Sequence, residues 1–133
     1  MKVYRKKGIY IFVAKIVEKD PKQENMPEII EAIKFIRRWI IVDSSSFPKL
    51  LANSLVSLAE CNDEQIKKAS IETIRKLALR NAELASDCEG IRVLFKAVLD
   101  PNNEDSCESI TYSLLLLLNN TKTRTKLGVH MNF

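Results

Sequence analysis

Residues 64–80 read EQIKKASIETIRKLALR, and their apolar side chains decide the fold. Ile71, Ile74 and Leu77 fall three apart, with Ile66 and Ala78 on the same side, so one stripe of a 3.6-residue helix is apolar and the opposite side is charged. The same spacing returns as Ile30, Ile33 and Ile36 at an offset of 41, and as Thr111, Leu114 and Leu117 at a further 40. A second triplet precedes each of these helices: Ile9, Val13 and Ile16, then Leu51, Leu55 and Leu58, then Ile91, Phe95 and Val98, at offsets of 42 and 40. Both halves of a two-helix unit therefore recur.

Turn residues separate the units. Asp20-Pro21 to Pro27, Asp43 to Pro48, Cys61 to Glu64, Asn81 to Gly90, Asp100 to Ser106 and Asn119 to Thr123 are rich in Pro, Asn, Asp and Ser. Between them six helices are predicted, over Gly8 to Lys19, Pro27 to Val42, Pro48 to Glu60, Glu64 to Arg80, Gly90 to Leu99 and Asp105 to Asn119. Pro27 and Pro48 suit a first helical turn, which has no N–H bond to lose, and Asn62 or Asp63 is placed to cap the fourth helix. A period of about 40–47 residues built from helices is the signature of armadillo and HEAT arrays. The expected fold is all-α, a right-handed α-α superhelix of about three armadillo/HEAT-like helical repeats, in one domain over 1–133, with repeats at roughly 8–42, 48–80 and 81–127. Asn81 to Glu89 is long enough for the short extra helix of an armadillo unit, with Leu84 and Ala85 toward the core and Gly90 supplying a bend.

Composition agrees. The 133 residues hold 46% hydrophobic and 29% charged side chains but only 3 Gly and 4 Pro, too few for the frequent turns of a sandwich or barrel. The net charge of +4 is local, because Met1 to Lys19 carries six basic residues against Glu18 while the rest sums close to neutral. A nucleic-acid binder gathers Lys and Arg on one face, so none is expected as a partner; a role for Lys2, Arg5, Lys6 and Lys7 against nucleic acid or anionic lipid rests on charge alone. Lys15 interrupts the apolar run after this cluster and no cleavage pattern follows, which argues against a signal peptide and for a cytoplasmic chain with no integral membrane segment.

The chemistry expected of the chain is binding. His130 is the sole histidine and lies near the end. Cys61, Cys88 and Cys107 lack the paired spacing of a zinc site and suit a reducing compartment. No phosphate loop or nucleophile motif occurs, so no catalytic, cofactor or metal residue is assigned. Glu28, Glu31, Glu60, Asp63 and Glu64 are simplest as first-turn and capping acids. Trp39 is read as a packing residue, since no second Trp follows at the repeat period. Lys67, Lys68, Arg75, Lys76 and Arg80 cluster on the fourth helix, with Lys68, Arg75 and Lys76 near one exposed stripe. That stripe is either a solvated helix face or a concave binding surface. Leu114 to Leu118 is apolar all round, and if it ends the array it calls for a further repeat, a partner or self-association through exposed terminal repeats.

The order of certain segments adds a resemblance. Ile71 to Leu79, Asn81 to Leu84, Gly90 to Leu94 and Ala97 to Asp100, with Val3 to Arg5, Ala32 to Arg37, Leu55 to Glu60 and Thr123 to Leu127, are similar to the N-terminal armadillo-like region of the Rictor family. The family shows a second glycine where this chain has Glu89. Rictor proteins are also far longer, so the resemblance implies a fragment or a reduced form of a longer array. It implies a non-catalytic scaffold of TOR complex 2, whose partners are the TOR kinase and the other subunits and whose signalling reaches AGC-class kinases. Such a chain would be cytoplasmic, and peripheral to membranes as part of a complex. Arg75, Arg92 and Arg124 are the matched positions suited to partner contacts, beside Lys68 and Lys76 from the residue reading. The alternative is an unrelated armadillo-type adaptor that holds a peptide or helix in a concave groove.

Overall fold

A computed structural model describes residues 13–17 and 24–120. Helix α1 covers 13–17, and α2 Met26–Asp43, α3 Lys49–Ala59, α4 Glu64–Arg80, α5 Ala82–Asp87, α6 Gly90–Leu99 and α7 Cys107–Asn119 follow in order. Two 3₁₀ turns, Ser44–Ser46 and Pro101–Ser106, link α2 to α3 and α6 to α7. No strand occurs among the described residues. The predicted α-α repeat architecture is therefore the observed one.

The helix ends follow local chemistry. Asp63 caps α4, its Oδ1 accepting the Ile66 N–H at 2.9 Å, and Asn81 caps α5 through the Leu84 N–H at 3.2 Å. Pro27 lies in the first turn of α2, whereas Pro48 stands one residue before α3 and has extended backbone. The last helix begins two residues later than Asp105, because the 3₁₀ turn from Pro101 continues through Ser106. Asn103 is buried in that turn and donates from Nδ2 to the Ala97 carbonyl at 3.0 Å, tying it to the end of α6.

The helices form two layers. α4 packs on α2 and α3 and continues to α5, α6 and α7, so it is the central element of the described array. α2, α4 and α7 make one layer and α3 and α6 the other, with α5 filling the third unit. The core between them holds Ile29, Ile33, Ile36 and Ile40 from α2, Leu51 and Leu55 from α3, Ile66, Ile74 and Leu77 from α4, and Leu94, Ile110 and Leu117 beyond. Each such side chain contributes about 1.5–3 kcal/mol through burial. Trp39 is buried, edge-on to Phe35 and Phe47, and its Nε1 donates to Ser46 Oγ at 3.0 Å, as expected of a packing residue with a satisfied polar atom.

Two expectations are corrected. Phe95 was assigned to the core face with Ile91 and Val98, yet it is 56% exposed, and α6 instead buries Gly90, Val93, Leu94 and Ala97. The bend before α6 falls on Glu89, whose φ is 74° and ψ 26°, and no glycine has positive φ among the described residues. Gly90 is required for another reason: a Cβ there would stand 2.5 Å from the Ala85 carbonyl oxygen. Leu84 and Ala85 do face the core, as predicted.

Candidate interaction surface

The seam between α2 and α4 is fixed by polar contacts. Arg37 of α2 donates from Nε to Thr73 Oγ1 at 3.3 Å and from a terminal nitrogen to the Ala69 carbonyl at 3.2 Å. Farther along, Ser44 Oγ donates to the Arg80 carbonyl at 3.1 Å, and Asn81 Nδ2 donates to the Ser44 carbonyl at 3.2 Å. Both pairings run in the same direction along the two chains, so α2 and α4 lie parallel. Parallel stacking aligns their acidic first turns, with Glu28 and Glu64, while a basic last turn, with Arg80, belongs to α4 alone.

Charged pairs repeat with the helices. Glu31 pairs with Lys34 at 3.2 Å, and Glu72 pairs with Arg75; each residue of the second pair lies 41 positions beyond its counterpart. At the corresponding positions of α7, a further 40 on, stand Tyr112 and Leu115, both exposed. The outer face of this layer thus changes from paired charges to apolar side chains.

The five expected contact residues separate on the structure. Lys68 is exposed on α4, and Lys76, more than two turns farther along the same helix, is half-buried. Arg75 is less open than the expected exposed stripe: its side chain is only 15% exposed, it is held by Glu72, and its Nε is buried without a hydrogen-bond acceptor. Its charge is paired within α4 and is not presented as a free cation. Arg92 lies on the other layer, where it and Lys96 both reach Glu60 at the end of α3, at 2.7 and 3.3 Å. Arg124 lies outside the described residues, as do His130 and the cluster from Lys2 to Lys7.

Glu60 is accordingly an inter-helix clamp, and the capping role expected for it is replaced by these bonds. The salt bridge of Lys67 with Asp100 at 3.5 Å closes the opposite rim of a cavity of about 210 Å³ floored by Ala59, Ile71, Val93 and Ala97. Sequence reading also missed Arg37 and Arg38. The 41-residue offset gives no signal for them, since Ala78 and Leu79 stand at the corresponding positions of α4, although it does pair Glu31 with Glu72 and Lys34 with Arg75.

The thiols carry no shared chemistry. Cys61, Cys88 and Cys107 are free, and burial pushes the Cys88 thiol up from 9.0 to about 11, so it stays protonated. Among the described residues no group of His, Cys, Asp or Glu is placed to hold a metal ion, and no helix is long and apolar enough to cross a membrane.

Comparison with known proteins gives this surface its context. The family described as "Rapamycin-insensitive companion of mTOR, N-term" matches residues 1–133. The chain belongs to the Rictor family. Relatives in that family include protein pianissimo A of Dictyostelium discoideum, 34% identical over 116 residues, and the rapamycin-insensitive companion of mTOR of mouse and of human, 34% and 33% identical over 110 residues. These matches cover 87% of the chain for pianissimo A and 79% for the two mammalian proteins. The chain spans only 10% of pianissimo A and 6% of each mammalian relative. No solved structure matches the chain. Within the Rictor family, then, the match corresponds to the helical array described above, at the N-terminal end that the family description names.

Proposed function

We propose that this chain is a non-catalytic scaffold segment of TOR complex 2, cytoplasmic, supporting assembly of the TOR kinase and its signalling to AGC-class kinases. The observation that carries this reading is the family match along all 133 residues. The fold supports it: a two-layer helical array offers long solvent-facing helix rows for protein contacts, and repeat proteins use such rows to hold partners.

The test is affinity purification of the tagged, full-length source protein from its own cells, with co-purifying proteins identified by mass spectrometry. A TOR kinase in stoichiometric amount is the expected result. Its absence, with the tagged protein recovered intact, refutes the reading.

A general armadillo-type adaptor is the second reading, and one observation favours it. Arg38, Lys68, Lys76 and Arg80 form no side-chain ion pair with any described residue. Stoichiometric recovery of a different protein without any TOR kinase would select this second reading.

A further inference from the structure

The C-terminal halves of α2 and α4 carry more positive charge than their packing uses. Along α2 no acid follows Glu31 until Asp43, and along α4 none follows Glu72. Arg37 and Arg38 lie ahead of the last turn of α2, which itself holds no basic residue, and Lys76 and Arg80 lie toward the end of α4. The helix dipole favours a cation within the last turn, which accounts for Arg80 and not for Arg37 or Arg38. It does not account for the apolar side chains among them. Ile41 is 42% exposed, one turn beyond Arg37 and Arg38, and Leu79 is 43% exposed, one turn beyond Lys76.

The seam contacts bring these groups together. The bonds from Arg37 to Ala69 and Thr73, and from Ser44 to Arg80 and Asn81, bracket this stretch. By that register Ile41 lies beside Lys76 and Arg80. Arg37 is half-buried in the seam floor, bonded only to a hydroxyl and a carbonyl, and so keeps a guanidinium without a carboxylate partner. A planar guanidinium held in place by two neutral acceptors is preorganised to take a carboxylate on its free edge.

We propose that the C-terminal end of the α2/α4 seam is a docking groove for an acidic segment of a protein partner, with Arg37, Arg38, Lys76 and Arg80 taking its carboxylates and Ile41 and Leu79 its aliphatic side chains. This rests on reading the chain as a protein-binding repeat array. Charge complementarity selects the occupant. A nucleic-acid strand would follow a longer tract of cations, and here Glu31 and Glu72 neutralise the seam toward its N-terminal end. An apolar partner without acids would leave four cations to be desolvated unpaired. A helix or extended strand with Glu or Asp on one edge and Leu on the other satisfies both sets of groups.

The experiment uses the full-length source protein purified from its own cells. Its probe is a fluorescein-labelled peptide with glutamates at i, i+4 spacing and leucines one turn apart, read by fluorescence polarisation. The variant is the triple charge reversal Arg38→Glu, Lys76→Glu and Arg80→Glu; Arg38 and Arg80 are exposed and Lys76 half-buried, and Arg37 is left intact to preserve the seam. The expected result is binding that weakens with rising salt and falls about tenfold or more in the variant. Lys49→Glu, on the opposite layer, leaves the affinity unchanged. Ile41→Ser with Leu79→Ser weakens binding with little change in salt dependence. Peptide binding that is absent, or equal in wild type and triple variant, overturns the proposal. So does preferential binding of phosphatidylserine vesicles or duplex DNA through the same three cations. The scaffold reading fails separately, by loss of the TOR kinase from the wild-type purification, whatever the peptide does.

Discussion

Replacing Glu89 by glycine should stabilise the α5–α6 junction relative to replacing it by alanine, and the size of that difference follows from the backbone. Glu89 sits just beyond the end of α5 with φ 74°, ψ 26°, where helices commonly end in a glycine. Its side chain is exposed and makes no capping bond. A left-handed conformation costs an L-residue about 1–2 kcal/mol, because Cβ approaches the carbonyl oxygen. Glycine removes that cost but adds unfolded-state entropy worth about 0.4–1 kcal/mol. The net advantage of glycine over alanine is about 0.5–1 kcal/mol, or roughly 2–4 °C in Tm for a domain of this size. Comparison with Ala is the clean one, since both variants lose the glutamate charge, which beside the first turn of α6 contributes about 0.3–1 kcal/mol through the dipole. Thermal melts followed by circular dichroism measure the pair. Equal melting temperatures, or a more stable Glu89→Ala chain, would refute the assignment of strain to this residue.

Gly90→Ala should act in the opposite sense, because its Cβ would meet the Ala85 carbonyl oxygen at 2.5 Å and the carbonyl carbon at 3.1 Å; a loss of about 1–3 kcal/mol in urea denaturation is expected. Leu55→Ala and Leu77→Ala remove fully buried side chains and should each cost about 2–5 kcal/mol by the same assay. The buried Cys88 thiol should resist a thiol reagent in the native chain while Cys61 and Cys107 react, and all three should react in denaturant. Its raised pKa has a definite sign. The unfolded thiol ionises near 9.0 and the folded one near 11, so this contribution is full below pH 9 and is lost as pH rises through about 11; stability rising over that interval would contradict it. Phe95→Glu with Leu99→Lys should reduce self-association of the isolated 133-residue chain in light scattering, because both side chains are exposed on α6.

What was legible in the sequence was the apolar period. Ile30, Ile33 and Ile36, then Ile71, Ile74 and Leu77, mark the inward stripes of α2 and α4, since helix burial repeats every 3.6 residues whatever the partner. Asp63 as the cap of α4 was legible for the same local reason. Phe95 was not, because periodicity identifies an apolar stripe without saying which neighbour covers it. Leu55, forty positions earlier, is fully buried: α3 has α4, α5 and α6 packed beside it. No described helix beyond α7 stands in that relation to α6. The burial of Arg75 was not legible for a related reason. Its place on the charged side of α4 is correct, but a long side chain can bury its stem and much of its guanidinium, and Glu72 one turn back draws it there.

The polar positions carry a second, weaker period with a different meaning. Core side chains recur because each repeat meets the same kind of neighbour, so the period survives wherever packing does. Charged positions outside the apolar stripe are under no such constraint. When Glu31 and Lys34 recur as Glu72 and Arg75, the two pairs lock charge onto their own helices and leave little for a partner. Where the correspondence breaks, the surface changes character: Arg38 is followed at the same register by Leu79, and Glu72 with Arg75 by Tyr112 with Leu115. Each break puts an exposed apolar side chain next to a charged or paired one. An array whose core is uniform but whose face varies from repeat to repeat can distinguish one partner segment from another, because affinity then depends on matching both charge and apolar contacts in register. The α2/α4 seam is the first such break among the described residues, and its cations without carboxylate partners are the part of the face that packing does not account for.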